Sequence, residues 1–309
     1  MTKAVLITKV DPVYDDLPEK RYHFPRTYLR QMESAVGDWV IYYEPRRTSG
    51  DLASVGGRQA YFATARLESI GRDPTRDGHF YGMVADYLEF DRPVPFKEGP
   101  FYYESGLKKD DGSTNKGAFG RAVRNLPDRE YDLILQAGFA HVLGHSERPR
   151  TAPDVPEELL VGFAEGDQAP FEIEPRGMVQ TISQRPFRDR AFAVAIKSAY
   201  GDTCAVTGLK LINGGGRSEV QAAHIQPVAY DGPDSVRNGV ALSGTIHWMF
   251  DRGLISVDDD FGLLTATSSI PDTVARLINP ERRLRLPSRP EHRPHPQFLR
   301  YHREHVFKG

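Results

Sequence analysis

The first hundred residues alternate between short runs of aromatic and β-branched residues and clusters of glycine, proline and aspartate. Four runs fit a strand pattern, namely Lys3–Val10, Gly37–Arg47, Arg58–Ile70 and His79–Val94. The clusters between them supply turn residues. Only Thr27–Ala35 (TYLRQMESA) has helical spacing in this region. The pattern therefore predicts a small barrel or a strongly bent sheet rather than alternating strand–helix units.

The middle of the chain changes to helical spacing. Apolar residues recur three and four positions apart between Pro127 and Gly138, which predicts a helix there. The following segment, Thr151–Glu174, is acidic and contains no basic residue. We interpret this segment as a linker or an extended arm over the surface.

A second structural unit begins near Met178. Phe187–Tyr200 is predicted to be an amphipathic helix. Within Glu219–Gly253 the pattern indicates a strand with His224 near its end, then a loop rich in proline, glycine and aspartate, then a second strand (NGVALS). Ser243 is a good N-cap for the helix TIHWMFD, which the next glycine ends.

Length and cysteine content limit the architecture. A chain of 309 residues suggests two domains, and we place them at 1–110 and 178–309, with a helical connector and acidic linker at 111–177. The single cysteine, Cys204, excludes a disulfide framework and a four-cysteine zinc site, so no structural zinc is expected.

Charge and hydropathy limit the partners. With 40 Lys+Arg against 42 Asp+Glu, any nucleic acid must be bound by a local patch rather than by net charge. No stretch of about 18 uninterrupted apolar residues occurs, so no membrane partner is expected. The start MTKAVLITKVDPVYDD has no signal-peptide pattern, and we expect a cytoplasmic location.

The Glu219–Gly253 unit carries the candidate chemistry. His247 and Asp251 are four residues apart, so they share one helix face and can chelate one divalent cation. A strand-borne His224 facing that cation can act as a base, since a neutral imidazole titrates near pH ~6.5. Such a site suits phosphodiester cleavage, which needs positive charge beside the phosphorane and an acceptor for the proton of water.

The spacing also resembles a known family. His224 is followed by Asn238 fourteen residues on, His247 nine further and Asp251 four further, as in HNH (ββα-metal) endonucleases. The flanking CAVTG, AAHIQP, NGVALS and HWMFDRG look like the branch found in bacterial restriction-type nucleases. The resemblance implies a C-terminal ββα-metal nuclease domain.

The resemblance implies a role for each matched residue. His224 would be the general base, Asn238 would brace the loop, and His247 would bind the metal, which makes these three the catalytic set. Asp251 would be a further metal ligand. Many members carry a ligand just before the base, where this chain has Ala223. The metal would then depend on His247, Asp251, phosphate and water, which suits Mg²⁺, with Mn²⁺ as the alternative.

The N-terminal segments resemble a second family. Tyr14–Leu29, GDWVIYYEPRR and YFATARLESI are similar to PUA-like barrels, including the EVE and SRA-type readers of modified bases. The resemblance implies that a nucleotide is splayed out of the duplex into an aromatic pocket. The expected pocket residues are Tyr22, His23, Phe24 and Trp39, and the expected phosphate-binding residues are Arg21, Arg26, Arg46 and Arg47.

Together these features predict an α+β protein with an N-terminal PUA-like β-barrel, a helical connector and a C-terminal ββα-metal HNH domain. The expected function is cleavage of double-stranded DNA that carries methylated or hydroxymethylated cytosine. One site nicks one strand, so a double-strand break needs a homodimer or two successive events. Three alternatives stay open: a non-catalytic modified-DNA reader with a degenerate HNH fold, an RNA-directed PUA–HNH nuclease, and an unselective nuclease.

Overall fold

The computed structural model describes residues 2–10, 14–51, 53–146, 178–266 and 270–309. The predicted acidic linker, Thr151–Glu174, lies outside these residues. Among the residues described, no helix combines the length and the apolar character that crossing a lipid bilayer requires.

Six N-terminal strands form one sheet. The strands before position 127 are β1 (Lys3–Ile7), β2 (Arg21–Pro25), β3 (Trp39–Glu44), β4 (Ala60–Arg72), β5 (His79–Pro95), β6 (Lys97–Glu98), β7 (Phe101–Tyr102) and β8 (Val123–Leu126). The sheet order is β2-β5-β4-β3-β1-β8, and β6 pairs with β7 outside it. Within the sheet the β1–β3 pair is parallel, and the other neighbours are antiparallel.

The sheet is strongly curled. β4 and β5 are long, and the register of their ladder shifts at three places. Such irregularities bend a strand and increase its twist. The sheet order begins with β2 and ends with β8, so the sheet forms a half-barrel with two edges. The predicted bent sheet and the α+β class are confirmed. Because β8 pairs with β1, the sheet extends beyond residue 110, and the proposed domain boundaries stay a prediction.

Nine helices accompany the strands in the described part of the chain. They are α1 (Leu29–Ala35), α2 (Lys116–Phe119), α3 (Asp128–Gly138), α4 (Ala140–Ser146), α5 (Met178–Ile182), α6 (Arg185–Ala199), α7 (Gly244–Asp251), α8 (Asp272–Ala275) and α9 (Pro296–His305). The C-terminal strands are β9 (Gln221–His224), β10 (Gly239–Leu242), β11 (Ile255–Val257) and β12 (Leu263–Thr265).

Apolar clusters cover both faces of the sheet around β3. Val40 and Tyr42 of β3 belong to one apolar cluster, whereas Trp39, Ile41 and Tyr43 belong to another. This alternation follows from the two-residue period of a strand. Residues of α3, α5 and α6 complete the second cluster, so these helices cover one face of the sheet.

Helix α6 joins the sheet to the C-terminal core. Phe187 packs in the cluster under the sheet, and Phe192 and Ile196 pack in a third cluster with β9, β10 and α7. Gly239 permits this approach, because a Cβ at that position would lie 2.3 Å from Ile196 Cδ1. The predicted strand, loop, strand and helix around His224 are confirmed, and α6 positions them against the sheet.

Candidate active site

His224 lies in a unit made of β9, β10 and α7. β9 ends at His224 and pairs with β10 in a register that places Gly239 opposite it. α7 begins directly after Ser243, as predicted, but the Ser243 side chain makes no capping hydrogen bond. Instead, Glu219 Oε1 accepts a hydrogen bond from Gly244 N at 2.9 Å. The carboxylate accepts a bond from an N–H that has no partner within the helix, and its negative charge interacts favourably with the positive end of the helix dipole.

His224 is held on two sides. Its ring stacks on Phe192 of α6, with the ring centroids 3.8 Å apart and the planes 9° from parallel. Its Nε2 lies 3.0 Å from Asp234 Oδ1. The side chain is 18% exposed. The histidine predicted to be the base is therefore fixed in orientation and still reachable from solvent.

Asp234 determines which nitrogen of His224 carries a proton. The Asp234 carboxylate also accepts hydrogen bonds from Arg188 Nε at 2.8 Å and from Arg185 Nη1 at 3.0 Å. Burial acts to raise the pKa of Asp234, but the bond to His224 and both guanidinium groups bring that pKa below its ordinary value. An ionised carboxylate only accepts hydrogen bonds, so His224 Nε2 carries the hydrogen. His224 Nδ1 is then the nitrogen that can accept a proton from water.

The loop around Asp234 is attached to the N-terminal sheet. Arg188 Nη1 and Nη2 donate to the backbone oxygens of Asp86 and Tyr87, each at 2.9 Å. Asp234 forms a parallel bridge with Leu88 of β5. The carboxylate that orients His224 is therefore anchored to both halves of the molecule.

Asn238 makes the contacts that the predicted bracing role requires. Its Oδ1 accepts from Gln226 N, and its Nδ2 donates to Gln226 O and to Pro233 O, each at 2.9 Å. The side chain is fully buried, so these bonds are protected from water. They join the two ends of the loop between β9 and β10 on which Asp234 lies.

His247 and Asp251 lie together, as their spacing predicts. His247 Nε2 is 3.4 Å from Asp251 Oδ2, and His247 Nδ1 is 2.8 Å from Gln221 Oε1. If Nδ1 donates to the Gln221 oxygen, the lone pair of Nε2 points to the side of Asp251, where a cation would bind. These donors fit a divalent cation.

The donor set is small. The described residues contain no group of three or more His, Cys, Asp or Glu side chains arranged to hold a metal ion. Ala223 is fully buried in the core and offers no donor. With these two protein donors, the other coordination positions of a divalent cation would be left to water or phosphate oxygens.

The structure does not bring the four predicted pocket residues to one surface. Tyr22 and Phe24 belong to one core cluster and Trp39 to another, and each is at most 5% exposed. His23 points to the other side of β2, where it stacks on Tyr81 at 4.5 Å and its Nε2 lies 2.9 Å from Asp73 Oδ2. Strand alternation separates His23 from its neighbours, and the curl of the sheet separates Trp39 from both.

The four predicted phosphate-binding arginines are also separated. Arg26 follows β2 and is exposed, as are Arg46 and Arg47 after β3. The start of β5 pairs with the end of β2. The end of β5 pairs with the start of β4, which in turn pairs with the end of β3. These arginines therefore occupy opposite ends of the sheet. Arg21 is paired with Asp15 at 2.7 Å.

Two residues of the site were not identified from the sequence. Asp234 lies ten residues after His224, in the DGPD part of the loop. Gln221 is the first residue of β9, the strand that ends at His224. An acid inside the loop between the predicted base and Asn238 was the available signal for Asp234. Nothing in the local pattern distinguished Gln221 from an ordinary exposed strand residue.

Comparison with known proteins identifies part of the chain. Residues 204–258 match the HNH_2 family model, described as HNH endonuclease. This range contains His224, Asp234, Asn238, His247 and Asp251. The C-terminal part of the chain therefore contains an HNH endonuclease domain. No curated protein matches the chain.

Two solved structures are similar over longer ranges. The modification-dependent restriction endonuclease TagI is 15% identical, with 98% of this chain and 81% of TagI covered and a TM-score of 0.30. The N-terminal domain of Staphylothermus marinus McrB is 14% identical, with 44% of this chain and 94% of that domain covered and a TM-score of 0.30. At these TM-scores, the nuclease assignment depends on the family match and on the geometry around His224.

Proposed function

We propose that this protein is a modification-dependent DNA endonuclease of the restriction type. The N-terminal part would bind double-stranded DNA that carries modified cytosine, and the HNH domain would hydrolyse a phosphodiester bond. The observation that supports catalysis best is the His224–Asp234 contact inside the segment that matches HNH endonucleases. It gives a histidine with a fixed tautomer and a solvent-accessible ring.

His224 would act as the general base. Its Nδ1 accepts a proton from the attacking water, and the ionised Asp234 carboxylate stabilises the imidazolium that results. Stacking on Phe192 restricts the orientation of the ring. Asn238 keeps the loop, and with it Asp234, in place.

His247 and Asp251 would hold a divalent cation, Mg²⁺ or Mn²⁺. When bound, this cation supplies positive charge beside the phosphorane oxygens and the departing 3′ oxygen. If His247 Nδ1 donates to Gln221 Oε1, Nε2 is the nitrogen that would be presented to the cation. His247 contacts Gln221 at the start of β9 and His224 lies at its end, so this one short strand links the predicted metal ligand to the predicted base.

The resemblance of Tyr14–Leu29 and GDWVIYY to PUA-like readers supports the DNA-reading role, as does the curled sheet. The proposed division is a reader at 1–110, a connector at 111–177 and a nuclease at 178–309. Each chain carries one such site among the described residues, so double-strand cleavage would need a homodimer or two successive nicks.

The test is a substrate panel for the wild-type protein. Duplexes with plain, methylated, hydroxymethylated and glucosylated cytosine, and a structured RNA, are incubated with Mg²⁺ or Mn²⁺, and initial cleavage rates are measured on gels. We expect at least one modified duplex to be cut about tenfold or more faster than plain DNA, because base readout contributes ~1–3 kcal/mol.

Each rival function gives a different pattern in the same panel. Equal rates on plain and modified DNA would indicate an unselective nuclease. Cleavage confined to RNA would indicate the RNA-directed alternative. Tight binding to modified DNA without cleavage in either metal would indicate a reader with a degenerate HNH fold.

A further inference from the structure

A cavity lies between the N-terminal sheet and the C-terminal part of the chain. Its volume is about 360 Å³, and residues 290–296 form one of its walls. An adjoining cavity of about 220 Å³ shares Arg58, Phe62, Glu89 and His292 with it. Volumes of this size suit a small ligand or a single base. The two parts of the protein therefore enclose a space that neither encloses alone.

The sheet side of this cavity offers one planar cationic group supported by aromatic rings. Phe62 of β4 and Tyr87 of β5 line the cavity but are only 7% and 3% exposed. The Arg58 guanidinium lies over the Phe62 ring, 4.6 Å from its centre, so Arg58 is the planar group that a ligand would contact. Aromatic rings and guanidinium planes are the groups on which extrahelical bases stack. The predicted residues Tyr22, Phe24 and Trp39 do not line this space.

Most carboxylates in the wall already have cationic partners. Glu44 Oε2 is bonded to Arg58 Nε at 2.6 Å, and Glu19 Oε1 lies 3.4 Å from Arg237 Nη1. Glu89 has no ion pair among the described residues, and its described bonds, from Tyr87 and Ser235, go to Oε1. Its Oε2 is therefore available to a ligand.

A second polar group in the wall is unpaired. Thr8 is 4% exposed, and its Oγ1 is buried with no hydrogen-bond partner among the described residues. A buried hydroxyl without a hydrogen-bond partner destabilises the folded protein. Thr8 lines the cavity, so a ligand there could provide the missing partner.

The carboxyl of Glu89 can both donate and accept. Desolvation, with the nearby Glu19 charge, raises its pKa to about 7, against the opposing effect of Arg58. Near neutral pH, a protonated carboxyl presents an O–H donor beside a carbonyl acceptor. The complementary pattern is a ring-nitrogen acceptor beside an exocyclic amine, which cytosine and adenine present on their Watson–Crick edges and thymine and guanine do not.

We propose that this inter-domain cavity is the base-binding site, and that it takes an extrahelical base whose edge places an amine beside a ring-nitrogen acceptor. Glu89 reads that edge, Arg58, supported by Phe62, contacts the face of the base, and Thr8 bonds its rim. This inference rests on the proposed DNA-reading function and assigns it to residues outside the predicted pocket.

The cavity also contacts the loop between β9 and β10, which carries Asp234. Ser235 Oγ lies 3.0 Å from Glu19 Oε1 and 3.3 Å from Glu89 Oε1, so its single hydrogen can be donated to either carboxyl group. Ser235 directly follows Asp234, which orients His224. A base bonded to Glu89 therefore contacts the same carboxyl group that holds this loop on the sheet.

The test measures binding without cleavage. Fluorescence anisotropy of the full-length protein in EDTA is recorded with duplexes that differ at one position: 5-methylcytosine, 5-hydroxymethylcytosine, N6-methyladenine, plain cytosine or thymine. The arms distinguish cytosine from adenine as the source of the edge. We expect the tightest binding to an amine-bearing base and the weakest to thymine.

Variants of Glu89 test the edge contact. Glu89→Leu is expected to weaken binding to the preferred duplex about 10- to 100-fold, since a good bidentate contact contributes that much discrimination. Glu89→Gln is expected to bind within about threefold of wild type, because its amide also places a donor beside an acceptor. Glu68→Leu, an exposed site on β4, is the matched control and should not change binding.

A Thr8 variant distinguishes the loss of a ligand contact from the loss of binding that misfolding would cause. Thr8→Val removes the unpaired hydroxyl, so we expect a higher melting temperature together with severalfold weaker binding of the preferred duplex. A destabilised protein cannot produce that combination. Wild-type affinity in both Glu89→Leu and Thr8→Val would overturn the site.

The outcomes also separate this inference from the proposed function. If the wild-type protein discriminates bases and both variants lose that discrimination, the site stands even if nicking with Mg²⁺ is never seen. If wild-type protein cleaves modified DNA selectively and both variants bind it normally, the function stands and the site is wrong. If wild-type protein binds all duplexes equally, the site and the reading function both fail.

Discussion

Replacing His224 with alanine is expected to lower the rate of DNA cleavage by about 10²- to 10⁴-fold, the usual contribution of a general base. The variant loses the nitrogen that accepts the proton of water, whereas the sheet, the cavity and the other charges remain. Binding of modified DNA should stay within about twofold of wild type. Single-turnover cleavage of modified plasmid in Mg²⁺ measures the rate, and anisotropy in EDTA measures binding.

His305 provides a matched control for this substitution. It lies near the end of α9, is exposed, and stacks on Tyr301 rather than on any residue of the site. His305→Ala should cleave at the wild-type rate. Equal cleavage by wild type and His224→Ala would remove His224 from the mechanism and favour a different base.

Asp234→Ala is expected to reduce the free energy of unfolding by about 3–5 kcal/mol at neutral pH, as for loss of one partner of a buried ion pair. The substitution leaves Arg185, Arg188 and His224 without their acceptor. Cleavage should fall as well, because His224 is no longer held in one tautomer. Urea denaturation measures the stability, and the cleavage assay measures the rate.

The difference in the free energy of unfolding between wild type and Asp234→Ala depends on pH, and its direction follows from the lowered pKa of Asp234. The folded state lowers the pKa of Asp234, so the stabilisation is complete above its ordinary value of ~3.9 and is lost as the pH falls through the lowered value. The gap between wild type and Asp234→Ala should therefore be widest near pH 7 and shrink below about pH 4. Loss of the gap between pH 5 and 7 would contradict the ionised Asp234.

Asp189 is the control for the Asp234 experiment. It pairs with Arg185 from the surface of α6, with 55% of its side chain exposed. Exposed ion pairs contribute only ~0–1 kcal/mol. Asp189→Ala should therefore cause a small change, whereas a loss equal to that of Asp234→Ala would show that burial of Asp234 is not the cause.

The nuclease unit could be predicted from sequence because its signals are local. The loop rich in proline, glycine and aspartate separates β9 from β10, and Gly253 follows the end of α7. The four-residue spacing of His247 and Asp251 is a property of any helix, so their proximity followed directly. Asn238 directly precedes β10, so its place at the end of the loop also followed from the local sequence.

The remaining features depend on contacts between distant segments. Asp234 reaches Arg188 across forty-six residues, and neither residue carries a motif that marks it. The aromatic residues of β2 and β3 satisfy a strand pattern and a pocket pattern equally well. Helices α3, α5 and α6 bury one face of the sheet, and this tertiary contact places Trp39 in the core.

The cavity residues were beyond the reach of sequence patterns for the same reason. Thr8, Phe62 and Glu89 lie on three different strands or loops, and the opposite wall comes from residues 290–296. Their proximity is created by the curl of the sheet and by the docking of the C-terminal part on it. No spacing along the chain encodes that arrangement.

The position of the bound cation tests the central claim most directly. Anomalous diffraction at the manganese edge, from crystals grown with Mn²⁺ and uncleaved DNA, would locate it. We expect one peak within about 2 Å of His247 Nε2 and an Asp251 oxygen, with the scissile phosphate between that peak and His224. A peak away from both residues, or a scissile phosphate on the far side of His247 from His224, would contradict the mechanism.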